Sequence, residues 1–377
     1  MTLQLNEEQM MLKEAANGWL QDHAGVPMFR KMRKSGSVFS DEIWRDMAGM
    51  GWCGLLVEEK FGGSDFGFVG AGIVAEEMGK SLTISPFIST AVIGATAIGR
   101  WGSESMRVEW LPKIVEGSVK LALATDEAVK HNPLSISCAA ERDGSHFVLN
   151  GSKTFVADGQ FADQFIVSVR TSGNETDAQG VTLFLVDAKA GGLSRRPMRT
   201  LDARDTAHVK FENVRVSSGT IIGKLDMGAP ILEALLSLGR AVLAAEMVGA
   251  ATQSFDLSVE YLKVREQFGR IIGTFQALQH RAAQMYVDLT MASSIAYRAL
   301  LDLDINSESA GNTSSIAKAK CGEVALSIAN ESIQLHGGVG MTDEYDVGLY
   351  FKRIRVAQEQ YGDYDFLTDM IASSGGY

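Results

Sequence analysis

The run HFVLNGSKTFVAD, residues 146–158, decides how the chain is built. Its apolar residues come in short β-rich groups, and Asn150-Gly151 marks a turn inside it, with Asp143-Gly144 just before it. The same texture recurs in LALAT (121–125), QFIVSVR (164–170), VTLFLVD (181–187) and HVKFENVRV (208–216). Val209 and Phe211 alternate with Lys210 and Glu212, a period of two that suits a half-buried strand. Ser172-Gly173-Asn174 and Gly191-Gly192 supply further turns. Residues 119–227 therefore read as a compact β domain, a sandwich or a barrel.

The period on either side is helical. Asn6 is a good N-cap with Glu7 and Glu8 in the first turn and Gln9 at the capping-box position. Ser40-Asp41-Glu42 opens another helix feeding Ile43, Trp44 and Met47. Phe68 to Met78 reads as a buried helix with Gly79 as its C-cap. After residue 228, Leu278, Ala282, Met285, Leu289, Ala292, Ala296 and Leu300 form one stripe stepping by three or four. Further helices are expected over about 314–335 and about 347–371. The reading is an α+β multidomain chain: a helical domain over 1–118, the β domain over 119–227, and a four-helix bundle over 228–377.

Bulk properties narrow the function. A chain of 377 residues is long enough for two or three domains, and 46% hydrophobic with 21% charged residues is ordinary globular composition. A net charge of -11 argues against a nucleic-acid partner. Cys53, Cys138 and Cys321 have no metal-ligand spacing, which fits free thiols in a reducing compartment and no metal site. MTLQLNEEQM lacks the pattern of a signal peptide, and no apolar run spans a bilayer. The expectation is a cytoplasmic protein with no membrane contact.

Four segments carry a resemblance. They are Leu149 to Gly159, the run Arg265-Glu266-Gln267-Phe268-Gly269-Arg270 continuing through Ile272-Gly273 to Phe275-Gln276 and His280, the turn Gln334-Leu335-His336-Gly337-Gly338-Val339-Gly340, and Arg240 in the first C-terminal helix. Together with the order of helical, β and helical parts, they resemble the acyl-CoA dehydrogenase family over essentially the whole chain. In flavour the chain is most similar to the small-subunit type of pimeloyl-CoA and sterol-side-chain acyl-CoA dehydrogenases, which often work as one of two different subunits. The resemblance implies an FAD flavoprotein performing α,β-desaturation of an acyl-CoA in a homo- or hetero-oligomer, with an electron-transfer flavoprotein as a possible acceptor.

Each motif has a physical reason and a plainer reading. Phe155 offers an aromatic face for the flavin ring where the family usually has Trp, and Ala157 stands where the family has a Thr hydroxyl. An ordinary core hairpin explains that segment equally well. Arg265 has a planar fork suited to a pyrophosphate. The resemblance implies that Arg265, Gln267 and Phe268 reach the flavin of a neighbouring subunit, with Gln276 beside them. A solvated helix end is the bland alternative. Gly337 and Gly338, with Gln334, allow a backbone to approach adenine or ribose closely, although alone they read as a helix-end turn. His280 and His336 read as structural or adenosine-contacting.

The resemblance also exposes an absence. The family's proton-abstracting glutamate sits either before a Gly-Thr-Ser turn in the last helix or just before the arginine of the first C-terminal helix. Here those positions hold Tyr361, before Gly362 and Asp363, and Gly239, before Arg240. The family's TEPxAGSD loop survives only as Thr125-Asp126-Glu127-Ala128-Val129-Lys130-His131-Asn132-Pro133. Asp363 or Glu359 could act as a displaced base, with Arg240 near the reacting thioester, while Glu246 reads as a buried structural carboxylate. The alternatives are a partner subunit that completes the flavin site of a second dehydrogenase chain, with or without a flavin of its own, and a family offshoot that oxidises a substrate without coenzyme A.

Overall fold

Asn6 and Gln9 close a full capping box: the Asn6 side chain accepts from the Gln9 N–H, and the Gln9 side chain accepts from the Asn6 N–H. The computed structural model describes residues 4–376, so Met1, Thr2 and Leu3 of the opening MTLQLNEEQM, and Tyr377, lie outside it. The capped helix α1 (Glu7–Ala24) is followed by α2 (Val26–Ser35), α3 (Asp41–Gly49), α4 (Phe68–Ser81), α5 (Ala95–Trp101) and α6 (Glu104–Val115). Ser40 caps α3 by accepting from the Ile43 N–H.

Gly79 is not a helix cap. Helix α4 continues through it to Ser81. A Cβ at Gly79 would stand 2.0 Å from the Glu246 carbonyl oxygen, and one at Gly249 would stand 1.8 Å from that of Glu76. The two glycines let α4 touch the long helix α7 (Ala229–Val264) backbone to backbone. Packing, not termination, requires glycine there.

The middle of the chain forms one mixed sheet of eight strands: β1 (Leu121–Ala124), β2 (Ala139–Asp143), β3 (His146–Ala157), β4 (Gln164–Arg170), β5 (Val181–Asp187), β6 (Leu193–Pro197), β7 (Thr206–Ser217) and β8 (Ile221–Ile222). The order is β6-β7-β3-β2-β4-β5-β8, with β1 parallel beside β4. Strand β4 is buried along its whole length, which explains its unbroken apolar texture, whereas the later half of β7 alternates. Phe147, Phe165, Phe184 and Phe211 meet in the core of the sheet.

After α7 come the short strands β9 (Glu266–Gln267) and β10 (Arg270–Ile271), then α8 (Gln276–Asp304), α9 (Ala310–His336), α10 (Val347–Glu359) and α11 (Tyr364–Ser374). Helix α9 packs against α8, α10 and α11. Met285, Leu289, Ala292, Ala296 and Leu300 form the buried stripe of α8. The single final helix expected over about 347–371 is two helices. Tyr361 and Gly362 have φ of +62° and +112°, and Asp363 starts α11 as its N-cap, so the helical path cannot run through them. The chain thus has a helical N-terminal region, a central sheet region and a helical C-terminal region. It forms two compact units, one of residues 1–34, 72–83 and 240–377, the other of residues 35–71 and 84–239. No described helix is long and apolar enough to cross a membrane.

Candidate functional site

Three aromatic residues singled out by the sequence have left-handed backbones: Phe155 at φ +52°, Phe268 at +55° and Tyr361 at +62°. A bulky side chain in that region is strained by roughly 1–3 kcal/mol, and such residues gather at binding and catalytic positions.

Phe268 shows the strain most plainly. Strands β9 and β10 pair as a hairpin with Gln267 opposite Arg270, so Phe268-Gly269 forms a two-residue turn with both φ values positive. Such turns favour Asn-Gly or Gly-Gly, not phenylalanine. The ring is 91% exposed, and its edge-to-face contact with Phe275 buries little of it. Arg265, Gln267 and Gln276 are exposed on the same segment. Ile272 N–H donates to the Arg265 carbonyl, and the Arg270 guanidinium lies over Phe275, so the hairpin is built although its tip touches little.

The glycine turn after α9 lies close to this hairpin in the same chain. Tyr261, whose carbonyl accepts from the Arg265 N–H, stacks on His336, the residue before Gly337, with ring centroids 4.4 Å apart. Tyr345 meets both rings edge-on. His336 Nδ1 lies 2.8 Å from the Ser332 carbonyl, which can only accept, so the proton sits on Nδ1. Burial holds the His336 pKa below its ordinary value despite that bond. Gly337 has φ +65°, and a Cβ at either Gly337 or Gly338 would meet nothing. A cavity of about 430 Å³ opens beside the turn, lined by Gln334, Gly340, Met341, Tyr345 and Phe351 among others. Arg30 donates to Asp346 and to the Asp343 carbonyl, and Arg33 pairs with Asp343, bracing the turn against α2.

Near the break between α10 and α11, the acids singled out from the sequence have unequal partners. The Asp363 carboxylate accepts from the Phe366 N–H as the cap of α11. Glu359 is exposed and lies 3.6 Å from Arg355. Glu246 is buried and accepts two bonds from Arg353, at 2.8 and 3.0 Å. Arg240 is fully buried, and its Nε donates to the Tyr361 carbonyl at 2.9 Å. Buried Gly239 offers no side chain. Lys318, which sequence reasoning did not single out, donates to the carbonyls of Gln358 and Gly362 at 3.0 and 3.2 Å.

On the sheet, Phe155 and Ala157 are half-buried near the end of β3, where pairing with β7 slips between Lys153 and Val156. That bulge gives Phe155 its turned backbone. Lys153 is fully buried and donates to Glu127, the Thr125 carbonyl and Ser168. Glu127 also accepts from the backbone and hydroxyl of Ser137, and Lys153 with these bonds holds its carboxyl below the usual range against the opposing effect of burial. Asp126 pairs with His131 at 2.9 Å. The segment 125–138 is thereby tied by its own acids. A groove of about 690 Å³ lies beside it, lined by Pro133, Leu134, Met227, Leu232, Glu233 and Leu236 among others.

The donor set suits a dinucleotide: an exposed guanidinium and amide on the hairpin, an open glycine backbone, and an aromatic cavity next to it. The acyl-CoA dehydrogenase N-terminal, middle and C-terminal domains match residues 6–118, 122–214 and 226–375. The chain belongs to the acyl-CoA dehydrogenase family of FAD-dependent oxidoreductases. The short/branched chain specific acyl-CoA dehydrogenase of Bos taurus mitochondria is 29% identical over 372 residues, 97% of this chain and 85% of its own. An acyl-CoA dehydrogenase structure from Geobacillus kaustophilus is 27% identical at a TM-score of 0.92, covering 99% of each chain. A steroid ACAD variant (Tcur3481-Tcur3483) is 28% identical at a TM-score of 0.87, covering 100% of each.

Proposed function

We propose that this chain is one subunit of an acyl-CoA dehydrogenase oligomer that supports α,β-desaturation of an acyl-CoA, and that its own α10–α11 corner holds no working base. The second half is supported by the resemblance, which sets Tyr361 where the family has its glutamate, and by the acids nearby: Asp363 caps α11, Glu246 is bonded to Arg353, and Glu359 is exposed 3.6 Å from Arg355. The FAD, when bound, supplies the two-electron acceptor for the desaturation. Arg265 and Gln267 would hold its phosphates, Phe268 and Gln276 its adenosine half, and Gln334, Gly337 and Gly338 would offer backbone and amide groups from the turn. Phe155 and Ala157 would face the ring. Arg240 acts through the backbone of the corner by fixing the Tyr361 carbonyl. The groove along Leu232 and Leu236 is apolar enough for the uncharged arm of a thioester. The likeness to a steroid ACAD supports the small-subunit reading, and an electron-transfer flavoprotein is the proposed acceptor.

Expression of the chain alone and together with a second dehydrogenase chain tests this. Anaerobic acyl-CoA should bleach the flavin only in the co-expressed complex. Bleaching by the chain alone, lost in Asp363→Ala or Glu359→Ala, would replace the partner reading with a displaced base.

A further inference from the structure

Lys318 is 2% exposed in the middle of α9, and burial of an ammonium needs compensation. Its hydrogen bonds run to backbone. Nζ donates to the Gln358 carbonyl in the last turn of α10 and to the Gly362 carbonyl just before α11. The carbonyl end of a helix attracts a cation, and a donor bonded to both sides of the Gln360–Tyr361 break prevents the two helices from parting. Arg240 holds the carbonyl between them. Gln358 is itself fixed, donating to the Gly322 carbonyl and accepting from Arg355.

We propose that Lys318 is the positioning residue of the α10–α11 corner, a latch whose amine ties Gln358 to Gly362 and so sets where Tyr361 and Asp363 stand. Any bearing of the latch on turnover rests on the proposed function, in which Arg240 acts through this same corner; the latch itself does not.

The latch is proton-sensitive. Burial pushes the Lys318 pKa down to about 7, with further lowering by Arg240 on α7 and Arg353 on α10, against the opposing pull of Glu359 on α10 and Asp363 at the cap. A lysine whose pKa is depressed in the closed corner binds its proton more tightly once the corner opens to water. Opening is therefore increasingly favoured as the pH falls from the ordinary lysine value of 10.5 to about 7, and levels off below that, where both forms carry the proton.

Peptide-resolved hydrogen exchange over residues 355–366 of the flavin-loaded protein tests this, corrected for the intrinsic pH dependence of exchange. As the pH falls from about 10 to about 7, corner opening should rise by up to about tenfold per pH unit and then level off, while the rest of α9 stays protected. Lys318→Met, which has no titrating group, and Lys318→Arg, which is always charged, should both lose the pH step, and Lys318→Met should exchange faster than wild type at high pH. A flat wild-type profile overturns the proposal even if neither variant folds, and so does a step that survives in Lys318→Met. If the step is present but no acyl-CoA is turned over by any complex, the latch stands and the proposed function falls.

Discussion

Tyr261 stacks on His336 with ring centroids 4.4 Å apart and planes inclined by 25°. This contact joins the end of α7 to the end of α9, residues 75 positions apart in sequence, and so sets the Arg265–Phe268 hairpin beside the Gly337–Gly338 turn. Two segments suited to a dinucleotide are presented together by one chain. Neither segment alone distinguishes a cofactor site from a helix end.

Acid should loosen this junction. His336 has a lowered pKa in the folded chain, so the unfolded chain binds the proton more readily, and protonation below the ordinary value of 6.5 favours separation. Stability from this group is complete above pH 6.5 and declines as the pH falls. His336→Phe, which keeps the stack without a proton site, should shed less flavin than wild type when the pH is lowered, as flavin fluorescence would report.

Phe268→Ala separates assembly from folding. The ring is 91% exposed, so its removal should change the unfolding free energy of the isolated chain by less than about 0.5 kcal/mol. Flavin affinity should fall clearly. Thermal melts and flavin titration, run side by side, give both numbers.

Gly79→Ala should destabilise although alanine is the better helix former by about 1 kcal/mol. The added Cβ would stand 2.0 Å from the Glu246 carbonyl, and moving α4 away from α7 should cost about 1–3 kcal/mol net. Urea unfolding measures the difference.

Glu246→Ala leaves the Arg353 guanidinium, itself 6% exposed, without its carboxylate in the helical unit. Removing one partner of a buried pair typically costs about 3–5 kcal/mol. The double change Glu246→Leu with Arg353→Met should recover much of that loss. A double variant no more stable than the single one would show that the pair organises the bundle beyond its own charges.

Sequence carried the larger plan. Strand texture, caps such as Asn6 and Ser40, and the stripe on α8 all report local geometry, and local geometry is what spacing encodes. The Arg265–Gly273 run and the Gly337–Gly338 turn stood out through the family resemblance, but the β9–β10 hairpin was not legible, since the run read equally as a helix end. Nor was Lys318, since it is an ordinary helix residue until the fold brings Gln358 and Gly362 to it. The Tyr261–His336 stack escaped for the same reason. Gly79 misled because a glycine near a helix end fits a cap and a close crossing equally well, and only the position of Glu246 separates the two. The break at Tyr361-Gly362 was hidden by apolar residues that continue the helical period on both sides.

The most direct measurement is the flavin content and native mass of the purified oligomer carrying Arg265→Met with Gln267→Leu. If the hairpin holds the phosphates, the variant should fold and melt like wild type as an apoprotein, yet retain less than about a tenth of the flavin, since loss of charge-assisted bonds worth ~1.5–3 kcal/mol lowers affinity at least tenfold. A variant as yellow as wild type, with the same flavin affinity, would contradict it.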